Sequence, residues 1–218
     1  MTLRNQTLFF EQFRRNFTQM GAILPSSPAL GQAASAHLAQ PRPPARILEA
    51  GAGTGSFTRE IIPLLIPGDR LDVVEISSEL TGFLQQRLLD EGLLRRSGVA
   101  GAGRDIRLIN ADLLQFPFDT DYDFIIFSLP LTNFPPDMVA ALLAIMMQHL
   151  RPGGVFSYVK YIFIGQFKYY LGGAQTRAQM DANQAIIQDY ARQYQFERRV
   201  VLANVPPTWV HYWRKPGE

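Results

Sequence analysis

Chemistry-bearing residues concentrate first in Ile47-Leu48-Glu49-Ala50-Gly51-Ala52-Gly53-Thr54-Gly55, where an acid closes an apolar run and three glycines follow at alternating positions. Glycines in such a turn let the main chain approach a ligand closely. A helix opening just behind them aims its unpaired N–H groups at the same place. The pattern is akin to the dinucleotide fingerprint, but its third glycine comes one residue early and Glu49 has no counterpart there, which points away from a nicotinamide dinucleotide. A tight turn without a ligand is the plain alternative, although so many glycines weaken a fold unless something needs the space. Glu75 lies 20 residues after Gly55 at the end of Val73-Val74-Glu75-Ile76, where an acid can accept both ribose hydroxyls of an adenosine-containing ligand. Its structural alternative is a cap for the helix starting at Ser77 and Ser78.

The elements that must position these residues alternate. Strands are expected at Arg46–Ala50, Arg70–Ile76, Ile106–Asn110, Tyr122–Ser128 and Val155–Ile162, with helices at Gly55–Leu65, Ser78–Leu89, Pro136–Leu150 and about Ala174–Tyr194. A glycine-rich loop through Gly98, Gly101 and Gly103 precedes the third strand, and Leu150-Arg151-Pro152-Gly153-Gly154 reads as a structural helix-to-strand turn. Such alternation implies an α/β fold with a parallel sheet and helices on both faces. Two final strands, Glu197–Asn204 and Thr208–Arg214, are joined only by Val205-Pro206-Pro207, so they pair as a hairpin and the last strand runs antiparallel. This body, 46–218, follows an N-terminal helical arm over 1–40. In the arm, Phe10, Phe13, Phe17 and Met20 share one face of a helix over residues 3–20 beside Arg4, Arg14 and Arg15. Ser27 and Pro28 start a second helix running to about Ala39, and Gln40-Pro41-Arg42-Pro43-Pro44 forms the linker.

With 218 residues, 47% hydrophobic and 18% charged, the chain suits one well-cored domain. The apolar run Met138–Met147 is about half the ~20 residues a membrane span needs. The N-terminus lacks a secretory pattern, since Glu11, Gln12, Arg14 and Arg15 interrupt its apolar residues. Without cysteine there is no disulfide and no thiolate metal site, and no metal is expected. Charge is segregated: residues 1–46 hold five arginines against Glu11 alone, 47–150 hold seven arginines against fourteen acids, and 151–218 hold nine basic residues against four acids. Basic flanks around an acidic centre suit an anionic partner, membrane or nucleic acid, unless the segregation is chance.

The glycine segment closely resembles the cofactor motif of class I methyltransferases. The chain as a whole is similar to the bacterial phospholipid N-methyltransferases, relatives of the ribosomal RNA adenine dimethyltransferases. Besides Glu49–Gly55, the resemblance rests on Gly21-Ala22-Ile23-Leu24-Pro25-Ser26-Ser27, Ser128-Leu129-Pro130-Leu131-Thr132-Asn133-Phe134 and Asn204-Val205-Pro206-Pro207-Thr208-Trp209-Val210-His211. It implies a Rossmann-like methyltransferase sheet. S-adenosylmethionine would be held by Glu49, Gly51, Gly53, Thr54, Gly55, Glu75, Ile76, Asp112, Leu113 and Ser128, with Asp112 toward the adenine amino group and S-adenosylhomocysteine as product. The implied reaction is stepwise methylation of phosphatidylethanolamine toward phosphatidylcholine by a cytoplasmic protein peripherally bound to the inner membrane. The chain departs from the family at Lys160–Tyr170, which is longer and more aromatic than expected and could be a second lipid contact or a lid.

A lipid ammonium with a pKa near that of lysine, ~10.4, is mostly protonated at neutral pH. Its proton must be taken, or the neutral form selected. Tyr161, His211 and, as an orienting acceptor, Asn133 are the candidates; their plain readings are core aromatic, satisfied strand residue and turn residue. The aromatic and basic arm suits an anionic membrane surface, or else packs as core. RNA is the competing partner, but three lysines and no dense basic stripe speak against nucleic acid. An N-methyltransferase of RNA or a soluble amine, and a non-catalytic membrane-associated binding module, complete the alternatives.

Overall fold

A computed structural model describes residues 26–93, 105–162, 169 and 173–217. The expected helix over 3–20, the loop through Gly98–Gly103 and the segment 163–168 lie outside the described residues.

One seven-stranded sheet organises the chain. Its strands are β1 (Arg46–Ala50), β2 (Arg70–Glu75), β3 (Asp105–Asn110), β4 (Tyr122–Phe127), β5 (Leu150–Tyr161), β6 (Gln195–Val201) and β7 (Thr208–Arg214), in the order β3-β2-β1-β4-β5-β7-β6. The first five are mutually parallel. The closing strand β7 is antiparallel, as the short connection requires, but it sits between β5 and β6 rather than at the edge. Chain order reverses between β2-β1 and β1-β4. That switch point opens a crevice at the carboxyl ends of the strands, the usual ligand site of such sheets.

Helices α1 (Pro28–Ala34), α2 (Thr58–Ile61) and α3 (Ser78–Asp90) cover one face, and α4 (Pro136–Gln148) and α5 (Ala174–Tyr194) the other. Leu30, Ile47, Ile61, Leu71 and Leu84 fill the first core; Leu48, Ile125, Leu142, Met146 and Trp213 fill the second. Ser27 caps α1, accepting from the Leu30 amide at 3.3 Å with Pro28 in the first turn. That helix stops at Ala34 rather than Ala39, and turns carry the chain on to a buried Leu38. Residues 28–38 therefore join the core under the sheet.

The largest departure from the sequence reading is at the expected helix Gly55–Leu65. Gly51, Gly53 and Gly55 all adopt positive φ (82°, 57° and 84°), so residues 51–57 form turns and regular helix starts only at Thr58. Pro63, lacking an N–H, falls in a 3-10 turn over Ile62–Leu64. Smaller shifts are a β5 that already starts at Leu150 and a β6 that ends at Val201, because Asn204 turns inward at the hairpin.

Candidate active site

At the carboxyl ends of β1 and β2 the glycine loop is tied to Glu75. One carboxylate oxygen accepts from the Gly53 amide and the other from the Ser77 amide, both at 2.9 Å. Each ionised oxygen can accept a second hydrogen bond, so Glu75 keeps acceptor capacity while fixing the loop. Asn110 steadies the same strand end, donating to the Glu75 and Ile76 carbonyls at 2.9 Å. A pocket lies beside this carboxylate, lined by Gly51, Val74, Glu75, Ile76, Ala111, Asp112, Leu113 and Leu129. Asp112 accepts from the Leu114 amide and from Gln115 Nε2, each at 2.9 Å, which sets its carboxylate on the pocket wall.

Two of the glycines have distinct roles. A Cβ on Gly51 would fall 2.3 Å from Leu129 Cδ2, so the bare backbone lets the pocket wall close against the loop. A Cβ on Gly53 would meet nothing within 4 Å, so that glycine serves its left-handed backbone and an open approach.

Glu49 stands behind the loop and is fully buried. Neither of its carboxylate oxygens has a hydrogen-bond partner, and the nearby Thr58 hydroxyl is likewise unsatisfied. Burial pushes the Glu49 carboxyl up to about 7; Thr58 opposes the rise and the Glu75 charge adds to it. Ser128 turns its hydroxyl back onto the carbonyls of Ala50 (3.0 Å) and Gly51, tying the end of β4 to the loop. The Thr54 carbonyl accepts from Arg87 at 3.2 Å. The fold thus gathers Gly51, Glu75, Ile76, Asp112 and Leu113 around one pocket, with Gly53 attached through Glu75. Ser128 ties the loop to the end of β4, and Glu49 lies buried near the end of β1 with no hydrogen bond to the loop.

Tyr161 and His211, two of the residues considered for proton handling, are not brought together. Side chains alternate along β5, so Ser157 and Tyr161 share the α1 face, where Ser157 donates to the Ala34 carbonyl at 2.8 Å and the Ser26 hydroxyl neighbours Tyr161. Tyr158 points the other way and stacks on His211, with ring centroids 4.7 Å apart. Tyr161 and His211 therefore lie on opposite faces of the sheet. Burial raises the Tyr161 pKa. Burial, together with Lys160 and Arg198, lowers His211 to about 4. His211 Nδ1 is engaged by Gln195 Oε1 at 2.7 Å. Asn133 closes a 3-10 turn over Leu131–Asn133 after β4.

Residues that sequence reasoning missed hold this turn. Buried Asn183 donates to the Phe134 carbonyl at 2.8 Å and the Leu131 carbonyl at 3.4 Å, and Gln179 donates to Phe134 at 2.9 Å. Both project from α5, about fifty positions along the chain, and no local pattern announces them. Leu129 had a visible signal, its place directly after the fourth strand. Among the described residues, no cluster of three or more His, Asp or Glu could hold a metal, and no helix is long and apolar enough to cross a membrane.

Residues 47–154 match the methyltransferase domain family. With the sheet order and the glycine site, residues 47–154 form a methyltransferase domain of the class I, S-adenosylmethionine-dependent type. The ornithine lipid N-methyltransferase of Singulisphaera acidiphila is 29% identical over 153 residues, 70% of this chain and 76% of that protein. The ubiquinone/menaquinone biosynthesis C-methyltransferase UbiE of Coxiella burnetii is 29% identical over 110 residues, half of this chain and only 40% of that relative's length. Among solved structures, the N-methyltransferase NodS of Bradyrhizobium japonicum WM9 shares the fold with a TM-score of 0.59 at 19% identity, covering 88% of this chain and 99% of that one. NodS has also been crystallised with S-adenosyl-L-homocysteine. The site fits that cofactor: Glu75 has acceptor capacity left, the space over Gly53 is open, and Glu49 offers a carboxylate with no protein partner.

Proposed function

We propose that the protein transfers methyl groups from S-adenosylmethionine to the amine of phosphatidylethanolamine and its methylated intermediates, toward phosphatidylcholine, at an anionic membrane surface. The observation that carries this reading is the similarity to an ornithine lipid N-methyltransferase, another aminolipid enzyme by its name. That similarity runs over 153 residues, well beyond the span of the 47–154 domain match, whereas the UbiE similarity is no longer than about that domain.

In this reading Glu75 accepts the ribose hydroxyls, Asp112 faces the adenine amino group, and the glycine loop carries the rest of the cofactor by main-chain contact. Glu49 places negative charge behind the loop, opposite the cationic end of the cofactor. S-adenosylmethionine supplies an electrophilic sulfonium methyl when bound. The chain's task is then to hold a neutral amine in line with it. A histidine lowered to about 4 is a poor base for an ammonium near 10. A tyrosine raised by burial stays protonated at neutral pH. Both directions favour selection of the neutral amine over proton abstraction. Asn133, on the turn held by Asn183 and Gln179, would orient the acceptor.

The test is methyl transfer from radiolabelled S-adenosylmethionine to vesicles of phosphatidylethanolamine, with ornithine lipid, RNA and soluble amines in parallel. Label in mono-, di- or trimethylated phosphatidylethanolamine is expected. Cofactor binding without label in any lipid removes the reading and brings RNA or soluble amines forward; no cofactor binding at all points to a non-catalytic module.

A further inference from the structure

The hairpin between β6 and β7 ends in an apolar tip at the cofactor rim of the sheet. Leu202 is 72% exposed and Val205 67%, with Val200 beside them at 44%. Register fixes the location: Thr208 pairs with Tyr161 at the carboxyl end of β5, and the Ile162 amide donates to the Pro207 carbonyl at 3.0 Å. The tip therefore stands at the same end of the sheet as Glu75 and the glycine loop.

It is also held in shape from within. Asn204, 2% exposed, donates through Nδ2 to the Pro206 carbonyl (2.9 Å) and to Thr208 Oγ1 (3.1 Å), and through Oδ1 accepts from the Ser27 amide at 2.9 Å. One polar side chain pulled inward thus presents its two apolar neighbours outward. It also pins to the tip the point where the chain arrives from residues 1–25. The surroundings are cationic. No acidic residue occurs from Arg198 through Trp213, and the basic residues nearest the tip are Arg198 and Arg199 on β6, the latter paired with Glu197; Arg214 and Lys215 lie at the far, amino end of the sheet. Arg198 lies 4.9 Å over the Trp209 ring, opposite Lys160 on β5.

We infer that Leu202 and Val205 form a wedge that enters an anionic lipid bilayer and brings the cofactor rim against it. Two side chains at a loop tip fall far short of the roughly 800 Å² per partner of a stable protein interface. Shallow insertion of a few apolar groups beside basic ones is how a peripheral protein meets anionic lipid. The choice of bilayer as occupant rests on the aminolipid reading above, while the wedge is read from exposure, register and charge.

The chain has no cysteine, so a polarity-sensitive fluorophore can be attached uniquely to Leu202→Cys, with Gln148→Cys at the opposite end of the sheet as control. Vesicles of phosphatidylglycerol and phosphatidylcholine contain no methylatable amine, so the readout reports docking apart from methyl transfer. A blue-shifted, brighter signal at position 202 and none at 148 is expected. Leu202→Asp with Val205→Asp should weaken vesicle binding by about tenfold or more while S-adenosylmethionine affinity and the circular dichroism spectrum stay unchanged. The inference is overturned if the label at 202 does not respond, if the double variant binds vesicles like the parent, or if the label responds to protein concentration alone, which would put a second copy on the tip. Docking without methylation of phosphatidylethanolamine leaves the wedge standing and removes only the proposed substrate; methylation without docking does the reverse.

Discussion

Two fully buried carboxylates stand at opposite ends of the sheet, and their surroundings differ completely. At the amino ends of the strands, Asp69 accepts from Arg42 at 2.6 and 2.7 Å and from the Ala45 and Ile66 amides at 2.8 Å. Burial raises the Asp69 pKa, but Arg42 and the two amides outweigh it and hold the carboxyl below its ordinary value. At the carboxyl ends, neither Glu49 oxygen closes a hydrogen bond, only Thr58 stands near enough to oppose the effect of burial, and the carboxyl is pushed up to about 7. A buried charge is tolerable when the protein supplies its partners, and costly otherwise. The amino end is therefore completed by folding alone, whereas the carboxyl end keeps an expense that a cationic ligand can offset.

Substitutions can break or sharpen that contrast. The largest effect is expected from Asp69→Ala. It strips the Arg42 guanidinium, only 8% exposed, of its carboxylate and orphans two amides. A loss of about 3–5 kcal/mol in urea unfolding follows, with cofactor affinity of the folded protein kept; a loss below about 1 kcal/mol would show the amino end to be no better satisfied than the other.

Glu49→Gln should act in the opposite sense. With the folded pKa raised from 4.5 to about 7, the ligand-free protein loses stability as pH rises through that window, by about 3 kcal/mol in all. Glutamine removes the slope, makes the ligand-free protein more stable at pH 8 and weakens S-adenosylmethionine binding. Thermal unfolding of both proteins from pH 5 to 8 decides it, and parallel pH profiles would mean that Glu49 is not strained.

Glu75→Ala should weaken S-adenosylmethionine by about 10- to 100-fold, the worth of one or two hydrogen bonds to a charged group; calorimetric titration with unaltered affinity would refute the ribose role. Gly53→Ala meets no atom but forces alanine into a left-handed backbone, so a stability loss of about 1 kcal/mol is expected, with weaker cofactor binding as the added methyl enters the open approach. The smallest effect is expected from Tyr161→Phe. A general base contributes roughly 10²–10⁴-fold, so a turnover loss within about tenfold at unchanged cofactor affinity marks a positioning hydroxyl, and a larger one would restore Tyr161 as a proton acceptor.

Local pattern was enough for much of this protein. Alternating strand and helix periods, the three glycines after an apolar strand, Glu75 at the next strand end and the short Val205-Pro206-Pro207 connection are each written within a few residues. Each constrains its own backbone, so the α/β class, the hairpin and the glycine loop with Glu75 at the neighbouring strand end were legible without coordinates. Tertiary structure decided what depends on residues far apart. It placed β7 between β5 and β6, left Glu49 buried without a hydrogen bond, put Tyr161 and His211 on opposite faces, and brought Asn183 and Gln179 to the turn after β4. It also cut the expected helix Gly55–Leu65 to Thr58–Ile61, since three positive φ angles in the loop cannot continue into helix. Periodicity reports which way a side chain leaves its own strand or helix; only the packed neighbours determine whether it meets a partner there, a ligand, or neither.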